Sequence, residues 1–137
     1  MALSKLDHVN LRTARLADME AFYTEVLGMT LGARPPFPFA GAWLYCGEVA
    51  AVHLIEVEQP PAPEGELRLE HFAFSAAGLS DFLDLLKSRD EAYRIGVVPG
   101  FGIIQVNIQD PDGNHIHVDF AAAEAASVPG EPALAGI

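Results

Sequence analysis

Four histidines occur in the sequence as two copies of one pair. His8 and His71 lie in similar stretches, Leu-Asp-His-Val-Asn-Leu and Leu-Glu-His-Phe-Ala-Phe, which begin the first and the second copy. The second copy then contains one extra residue. His53 therefore corresponds to His117 at a separation one residue longer than that between His8 and His71, and we call this longer separation the repeat offset. Neutral imidazoles are common ligands of transition metals. If the two copies fold alike and pack about a pseudo-twofold axis, these four side chains can converge on one metal ion.

An all-histidine donor set narrows the choice of metal and of chemistry. Imidazole nitrogen suits zinc, iron, nickel, cobalt or copper, whereas magnesium and calcium prefer oxygen ligands. Because the ligands are neutral, the metal keeps its double positive charge and strongly polarises a bound water or a substrate oxygen. Four ligands can close a structural tetrahedral zinc site, whereas three leave the open position that a catalytic site needs. We expect a divalent transition metal: Zn, Fe, Ni or Co.

Composition limits the possible classes of protein. The chain has 137 residues, half of them apolar, which is enough for one globular domain, expected over residues 1–120 with a C-terminal tail over 121–137. Its 8 basic and 19 acidic residues give a net charge of −11, which argues against nucleic acid or an anionic membrane as a partner. Cys46 is the single cysteine, expected to be buried or half-buried at a hairpin. With no internal disulfide and no apparent signal segment, a cytoplasmic location is expected.

The first copy has the pattern of a strand, a helix and a hairpin. Alternating polar and apolar residues predict a strand over residues 6–11. Apolar residues at three- and four-residue spacing predict a helix over residues 16–26, which Gly28 ends. After a proline-rich loop, strands predicted over residues 42–46 and 49–57 flank a turn and form the hairpin.

The second copy repeats this order. We predict strands over residues 67–75, 94–98, 102–109 and 115–120, and a helix over residues 81–88. The run Asp-Pro-Asp-Gly-Asn at residues 110–114 predicts a tight turn, because proline presets one backbone dihedral angle and glycine accepts a positive one. The connection between the copies contains Pro60, Pro61, Pro63 and the pair Glu64-Gly65. The tail lacks an amphipathic period, so we expect it to be frayed or loosely docked.

Several motifs together resemble the vicinal oxygen chelate superfamily, the group of glyoxalases, bleomycin-resistance proteins and extradiol dioxygenases. They are the Leu-Asp-His-Val-Asn-Leu opening, the Phe-Tyr pair and Val-Leu-Gly-Met end of the first helix, Leu-Glu-His in mid-chain, and Asp-Pro-Asp-Gly-Asn followed by His-Ile-His. The resemblance covers residues 6–120. It implies an α+β fold of two paired βαβββ modules, at about residues 4–58 and 67–120, forming a curled mixed sheet with a central metal-binding cleft. Because this scaffold supports many reactions, the resemblance does not fix the reaction.

The resemblance also implies a ligand set. His8 and His71 match the family's first and third ligand positions, and His53 matches the second, which is often Glu, Gln or His. His117 matches the fourth position, where Glu is usual, so the carboxylate that serves relatives as ligand or base is missing. Glu56 is an odd number of residues from His53 and should point away from the metal in a regular strand. Many relatives pair two chains, so the resemblance implies a homodimer.

Polar and aromatic residues on the strands are candidates for contacts with a substrate. At the repeat offset Trp43 falls on Asn107 and Tyr45 on Gln109. The candidates for substrate binding are Trp43, Gln105, Asn107, Gln109, Arg12 and Phe101. Tyr45 is the candidate catalytic proton donor, and the alternative is a packed ring with a satisfied hydroxyl. Arg34, like Arg12, can meet an anionic group or remain solvated, and Phe37 and Phe39 suggest an apolar wall.

Two classes of function remain open. The first is a metal-dependent enzyme that acts on a small molecule with adjacent oxygens, by Lewis-acid isomerase, lyase or dioxygenase chemistry. The alternative is a metal-free protein that binds or sequesters a small molecule, of the bleomycin-resistance type. Histidine at all four positions favours the enzyme. His115 has no partner in the repeat, and we interpret it as a hydrogen-bonded residue rather than a ligand.

Overall fold

The computed structural model describes residues 1–61 and 68–137. The chain divides into two compact units, Met1–Gly65 and Glu66–Ile137. Within the described part of the chain, no helix combines the length and the apolar character needed to cross a membrane.

The first unit is a four-stranded mixed sheet with one helical segment. Its elements are β1 (Val9–Thr13), α1 (Leu16–Ala21), a π-helical turn (Phe22–Val26), β2 (Thr30–Gly32), β3 (Gly41–Cys46) and β4 (Val49–Glu56). The strand order is β1-β4-β3-β2, with β1 parallel to β4 and the other neighbours antiparallel. The inward residues Leu44, Val52 and Leu54 are buried, as are Met19 and Tyr23 of the helical segment. Alternation along the strands thus buries one sheet face.

Some boundaries of the first unit differ from the prediction. β1 begins at Val9, so His8 stands just before the strand. The predicted helix over residues 16–26 is α-helical for 6 residues and then widens into the π-helical turn, and Gly28, with a φ of +68°, follows it as predicted. Cys46 is exposed. The expectation of a buried or half-buried thiol is wrong, because this residue ends β3 at the turn, beyond the buried part of the sheet.

The second unit repeats the same order of elements. They are β5 (Phe72–Ser75), α2 (Leu79–Ser88), β6 (Arg94–Val98), β7 (Ile103–Gln109) and β8 (His115–Ala121). The strand order is β5-β8-β7-β6, with β5 parallel to β8 and the other neighbours antiparallel. The apolar face of α2 is buried through Leu79, Leu83 and Leu86. The predicted connection residues Pro63 and Glu64-Gly65, and the predicted strand start at Leu67, lie outside the described residues.

The predicted turn at residues 110–114 is confirmed. Gly113 has a φ of +83°, and its backbone N–H donates to the carbonyl of Asp110 at 2.9 Å. The carboxylate of Asp110 accepts hydrogen bonds from the backbone N–H groups of Asp112 and Asn114 at 3.0 and 2.9 Å. These bonds replace the sheet pairing that ends at β7 and fix the start of β8.

The C-terminal segment is docked, which corrects the expectation of a frayed or loosely docked tail. It forms two short 3₁₀ helices, Ala122–Ser127 and Pro132–Leu134, and Leu134 is buried. Oε1 of Glu124 accepts hydrogen bonds from the backbone N–H groups of Gly78 and Leu79 at 2.8 and 2.9 Å. Those groups begin α2, where Gly78 supplies no side-chain cap. The tail therefore provides the cap that the local sequence lacks.

Both units thus have the order strand, helix and three strands, and each sheet pairs its first and last strands in parallel. This confirms the predicted α+β class with two βαβββ modules. The short strand Thr30–Gly32 completes the first module, although it carries no strand pattern of its own. Neither sheet of the described residues closes on itself.

Candidate metal centre

In the first unit, His8 and His53 form a stack with Trp43. Asn10 of β1 is the sheet partner of His53, which brings the residues at the start of β1 next to the middle of β4. Trp43 of β3 is the antiparallel partner of His53 on the other side. The His8 and His53 ring centroids are 3.9 Å apart at 12°, and the Trp43 and His53 centroids are 4.0 Å apart at 10°. The sheet pairing thus brings together His8 and His53, which are separated in sequence by most of the first unit.

Hydrogen bonds orient both imidazoles of this stack. Nδ1 of His8 donates to the carboxylate of Asp7 at 2.7 Å, which leaves Nε2 with a lone pair for a metal. Nε2 of His53 donates to the carbonyl of Ala50 at 3.0 Å, which leaves Nδ1 with the lone pair. Burial, and then the nearby His8, lowers the pKa of His53. His53 is therefore held in the neutral form that can bind a metal.

In the second unit, the equivalent pair stacks in the same way and a third histidine joins it. The ring centroids of His71 and His117 are 4.0 Å apart at 13°. His115 lies 5.4 Å from His71 and 4.8 Å from His117, measured between centroids. Each of the three rings offers one nitrogen, and these nitrogens lie within 4.8 Å of one another. The cluster therefore has the nitrogen donors and the closeness that a transition metal requires.

His115 is held by two acceptors, unlike the other two rings. Its Nδ1 lies 3.1 Å from Oε1 of Glu70, and its Nε2 lies 2.9 Å from Oδ1 of Asn107. The other oxygen of Glu70 accepts a hydrogen bond from Nδ1 of His71. Both nitrogens of His115 thus lie against polar groups, but the residue also belongs to the three-histidine cluster, so its interpretation as a hydrogen-bonded residue rather than a ligand stays a prediction. Its place in the cluster could have been predicted, because it lies two residues before His117 and side chains two residues apart share one face of a strand.

His117 fits a metal best among the described residues. Its Nδ1 is buried and has no hydrogen-bond partner in the described part of the chain. Burial, and then the nearby His71 and His115, lowers the pKa of His117, so the ring is neutral at pH 7 and offers a lone pair. A buried polar nitrogen without a partner costs stability, and a bound metal removes that cost. The residues present therefore fit a divalent transition metal.

Both units also contain carboxylates near the histidines that were not among the predicted site residues. Glu70 contacts two rings of the cluster, and Asp7 occupies the equivalent position beside His8. Asp119 lies two positions after His117 on β8, and its Oδ1 is buried without a partner among the described residues. The pair Asp7 and Glu70 could have been read from the sequence, since each precedes a histidine at the same repeat position.

The predicted substrate-binding residues lie in different surroundings. Asn107 is the sheet partner of His117, as Trp43 is of His53, so the repeat offset holds in three dimensions. Gln105 and Gln109 flank Asn107 on β7, opposite Asp119 and His115. Arg12 is exposed on β1, and Phe101 is 78% exposed in the turn before β7. Substrate binding by these residues stays a prediction.

Tyr45, the candidate proton donor, has a satisfied hydroxyl. It donates to the carbonyl of Ala33, and its ring lies so close to Gly32 that a Cβ there would stand 2.6 Å from it. These contacts favour the packing alternative. Glu56 is exposed on β4 and is the sheet partner of Thr13, at the end of the strand away from the histidine stack.

Comparison with known proteins places this geometry in a family. The model of the Glyoxalase/Bleomycin resistance protein/Dioxygenase superfamily matches residues 5–118. The chain belongs to this superfamily. The resemblance seen in the sequence motifs is therefore confirmed.

Relatives in this superfamily share the fold over most of the chain. A protein of Serratia marcescens described as glutathione transferase FosA is 29% identical over 140 residues, which cover 95% of this chain and 92% of that protein. A glyoxalase family protein from Bacillus anthracis has a TM-score of 0.72 at 24% identity, covering 88% of this chain and 98% of its own. A lactoylglutathione lyase from Agrobacterium tumefaciens has a TM-score of 0.65 at 20% identity, covering 90% and 98%. At these identities the two structures establish the fold alone.

Proposed function

We propose that the chain is a metal-dependent enzyme that acts on a small molecule with adjacent oxygens. His8, His53, His71 and His117 would hold one divalent transition metal, and Asp7 and Glu70 would orient the ligands. Such a metal, bound by neutral imidazoles, supplies Lewis-acid polarisation of the substrate oxygens. The convergence of the two histidine pairs on one ion is part of this proposal, as is the homodimer that the superfamily resemblance implies.

The observation that carries the proposal is the environment of His117. Its Nδ1 is buried and unpartnered among the described residues, and the ring stacks on His71, which directly precedes β5, the parallel neighbour of β8. A residue kept only for packing would not need a buried nitrogen without a partner. A ligand position accounts for it.

Thiol transfer is the reaction class that we favour. The Serratia marcescens relative named as a glutathione transferase aligns over nearly the whole of both chains. Isomerase chemistry needs a base to remove a proton from carbon, and the usual glutamate position is His117. Transfer of a thiol needs a polarised electrophile and a sulfur nucleophile, so it does not depend on that carboxylate. The metal-free binding protein of the bleomycin-resistance type is the alternative.

The experiment measures metal and reaction on one sample. Protein purified without chelator is analysed for bound elements, and metal-free protein is titrated with zinc and cobalt. We expect saturable binding that His71→Ala and His117→Ala each weaken by about 100-fold or more, while Glu48→Gln, in the exposed β3–β4 turn, leaves it unchanged. Metal-dependent loss of the glutathione thiol is then measured with small electrophiles that carry adjacent oxygens. Less than about a tenth of an equivalent of metal, with no uptake on titration, would support the metal-free binder.

A further inference from the structure

A cavity in the first unit combines one cation with aromatic walls. Arg34, Phe37, Phe39, Trp43 and His53 contribute to its lining, which contains no carboxylate, and its volume is about 110 Å³. Pockets that enclose a whole drug-sized ligand measure about 300–1,000 Å³. This cavity therefore has room for one end of a small molecule.

The loop that carries the cation is stiff before any ligand binds. Its sequence from Arg34 is Arg-Pro-Pro-Phe-Pro-Phe, and each proline fixes a backbone φ angle. The backbone N–H of Phe37 donates to the carbonyl of Pro35 at 2.8 Å. The hydroxyl of Tyr45 on β3 donates to the carbonyl of Ala33 at the start of the loop. Binding here would therefore require little ordering of the chain.

The guanidinium of Arg34 lies beside two aromatic rings, and one of its donors has no partner in the described part of the chain. Its guanidinium carbon lies 5.3 Å from the ring centroid of Phe37 and 5.4 Å from that of Phe39, and the two rings stack at 5.0 Å. Nη2 donates to the carbonyl of Phe39 at 3.1 Å. Nε is buried and has no partner among the described residues.

The space beside the guanidinium depends on a glycine. A Cβ on Gly41 would stand 3.2 Å from Nη2 of Arg34 and 2.2 Å from the carbonyl oxygen of Leu54. Only glycine at this position of β3 allows both the strand pairing and the observed position of the guanidinium. The positive charge is thus positioned by the sheet as well as by the loop.

We propose that this cavity binds the carboxylate of a substrate whose small apolar or aromatic body lies against Trp43 and the two phenylalanines. The guanidinium of Arg34 lines the cavity, and its planar set of N–H donors matches the geometry of a carboxylate. In a chain with a net charge of −11, an anion needs such a local cation to bind. The cavity also borders His53, so the ligand would lie beside a proposed metal ligand. Only its identification as the substrate rests on the proposed function.

The test uses metal-free protein, so that it is independent of the metal. The arginine Nε–H resonances are followed by ¹H–¹⁵N NMR during titration with sodium benzoate, benzyl alcohol or inorganic phosphate. We expect benzoate to shift the Arg34 Nε–H resonance saturably, at lower concentration than benzyl alcohol or phosphate. Arg34→Gln should weaken benzoate binding by about tenfold or more, with Arg34→Lys intermediate. Lys87→Gln, which removes an exposed positive charge from α2, should bind as the wild type does.

Three results of the affinity measurements would overturn the inference. They are benzyl alcohol binding as tightly as benzoate, phosphate binding more tightly than benzoate, and unchanged benzoate affinity in folded Arg34→Gln. The wild-type resonance provides a readout that no variant can confound, because an unshifted Arg34 Nε–H under saturating benzoate also refutes the subsite. If benzoate binds as expected but the protein takes up no metal, the carboxylate subsite is supported and the proposed metal-dependent enzyme is refuted.

Discussion

Replacing Glu70 with alanine is expected to weaken metal binding by about 10- to 100-fold, although Glu70 is not itself a proposed ligand. One of its oxygens accepts a hydrogen bond from Nδ1 of His71 and the other accepts from Nδ1 of His115. These bonds, first to His71 and then to His115, lower the pKa of Glu70, so the carboxylate is an ionised acceptor at neutral pH. Without it, His71 is free to rotate and to adopt the other tautomer.

The first unit supplies the comparison that fixes the size of this effect. Asp7 contacts His8 alone, whereas Glu70 contacts two rings of its cluster. Loss of one such contact is expected to weaken metal binding by about tenfold, at the lower end of the range for residues that orient ligands. Asp7→Ala should therefore have a smaller effect than Glu70→Ala. Glu70→Gln keeps one acceptor oxygen and should lie between the wild type and the alanine variant.

Competition titration of zinc against a chromophoric chelator measures the affinities, and the visible spectrum of the cobalt-substituted protein reports the ligand geometry. Glu48→Gln is the matched control, because it removes a carboxylate that the structure places in an exposed turn. Glu70→Ala with an affinity within about twofold of the wild type, and an unchanged cobalt spectrum, would refute the orienting role. A merely structural role would lower stability without altering that spectrum.

Three further predictions concern stability and assembly. Glu124→Ala should lower the free energy of unfolding by about 1–2 kcal/mol, because α2 loses the acceptor for its first two N–H groups; urea titration measures this, with Asp84→Ala on the exposed face of α2 as control, and equal stabilities would contradict it. Since burial lowers the pKa values of His53 and His117 below the ordinary 6.5, the unfolded chain binds more protons, so metal-free protein should lose stability as pH falls below about 6.5. Urea midpoints that stay constant between about pH 7.5 and pH 5.5 would show that protonation of neither ring lowers the free energy of unfolding. Light scattering at micromolar concentration should give twice the chain mass of 14.7 kDa, and a monomeric mass would remove the dimer.

The sequence predicted the order of elements well where periodicity was strong. The strand over residues 94–98 and the turn at 110–114 were placed as the structure has them, because alternation and turn residues act locally. The docked tail was missed, since the bonds from Glu124 to the start of α2 join segments that are distant in sequence. The π-helical turn was missed for a related reason: widening keeps the same apolar side chains buried, so it leaves the spacing pattern unchanged.

The sequence predicted the two histidine pairs of the candidate site, but it did not predict the side chains that surround them. The repeat offset correctly made Trp43 and Asn107 equivalent positions, and the structure adds that they are the sheet partners of His53 and His117. The role proposed for Arg34 could not be decided from its residue type, since a loop arginine is usually solvated. Its cavity depends on the stacking of Phe37 and Phe39, a contact between loop side chains that no periodicity encodes.

The two units have kept their histidine pairs while their neighbouring residues have diverged, and this difference bears on the proposed function. At one equivalent position the first unit has Trp43, which stacks on its histidine, and the second has Asn107, which bonds to His115. His115 itself corresponds to Ala51 in the first unit, so the second unit alone can share a carboxylate between two rings. Aromatic rings and an arginine suit contact with an organic anion, whereas linked polar groups suit the fixing of ligand tautomers. Under the proposed function, both units would supply metal ligands, the first unit would also contact the substrate, and the second would add a carboxylate that orients two rings.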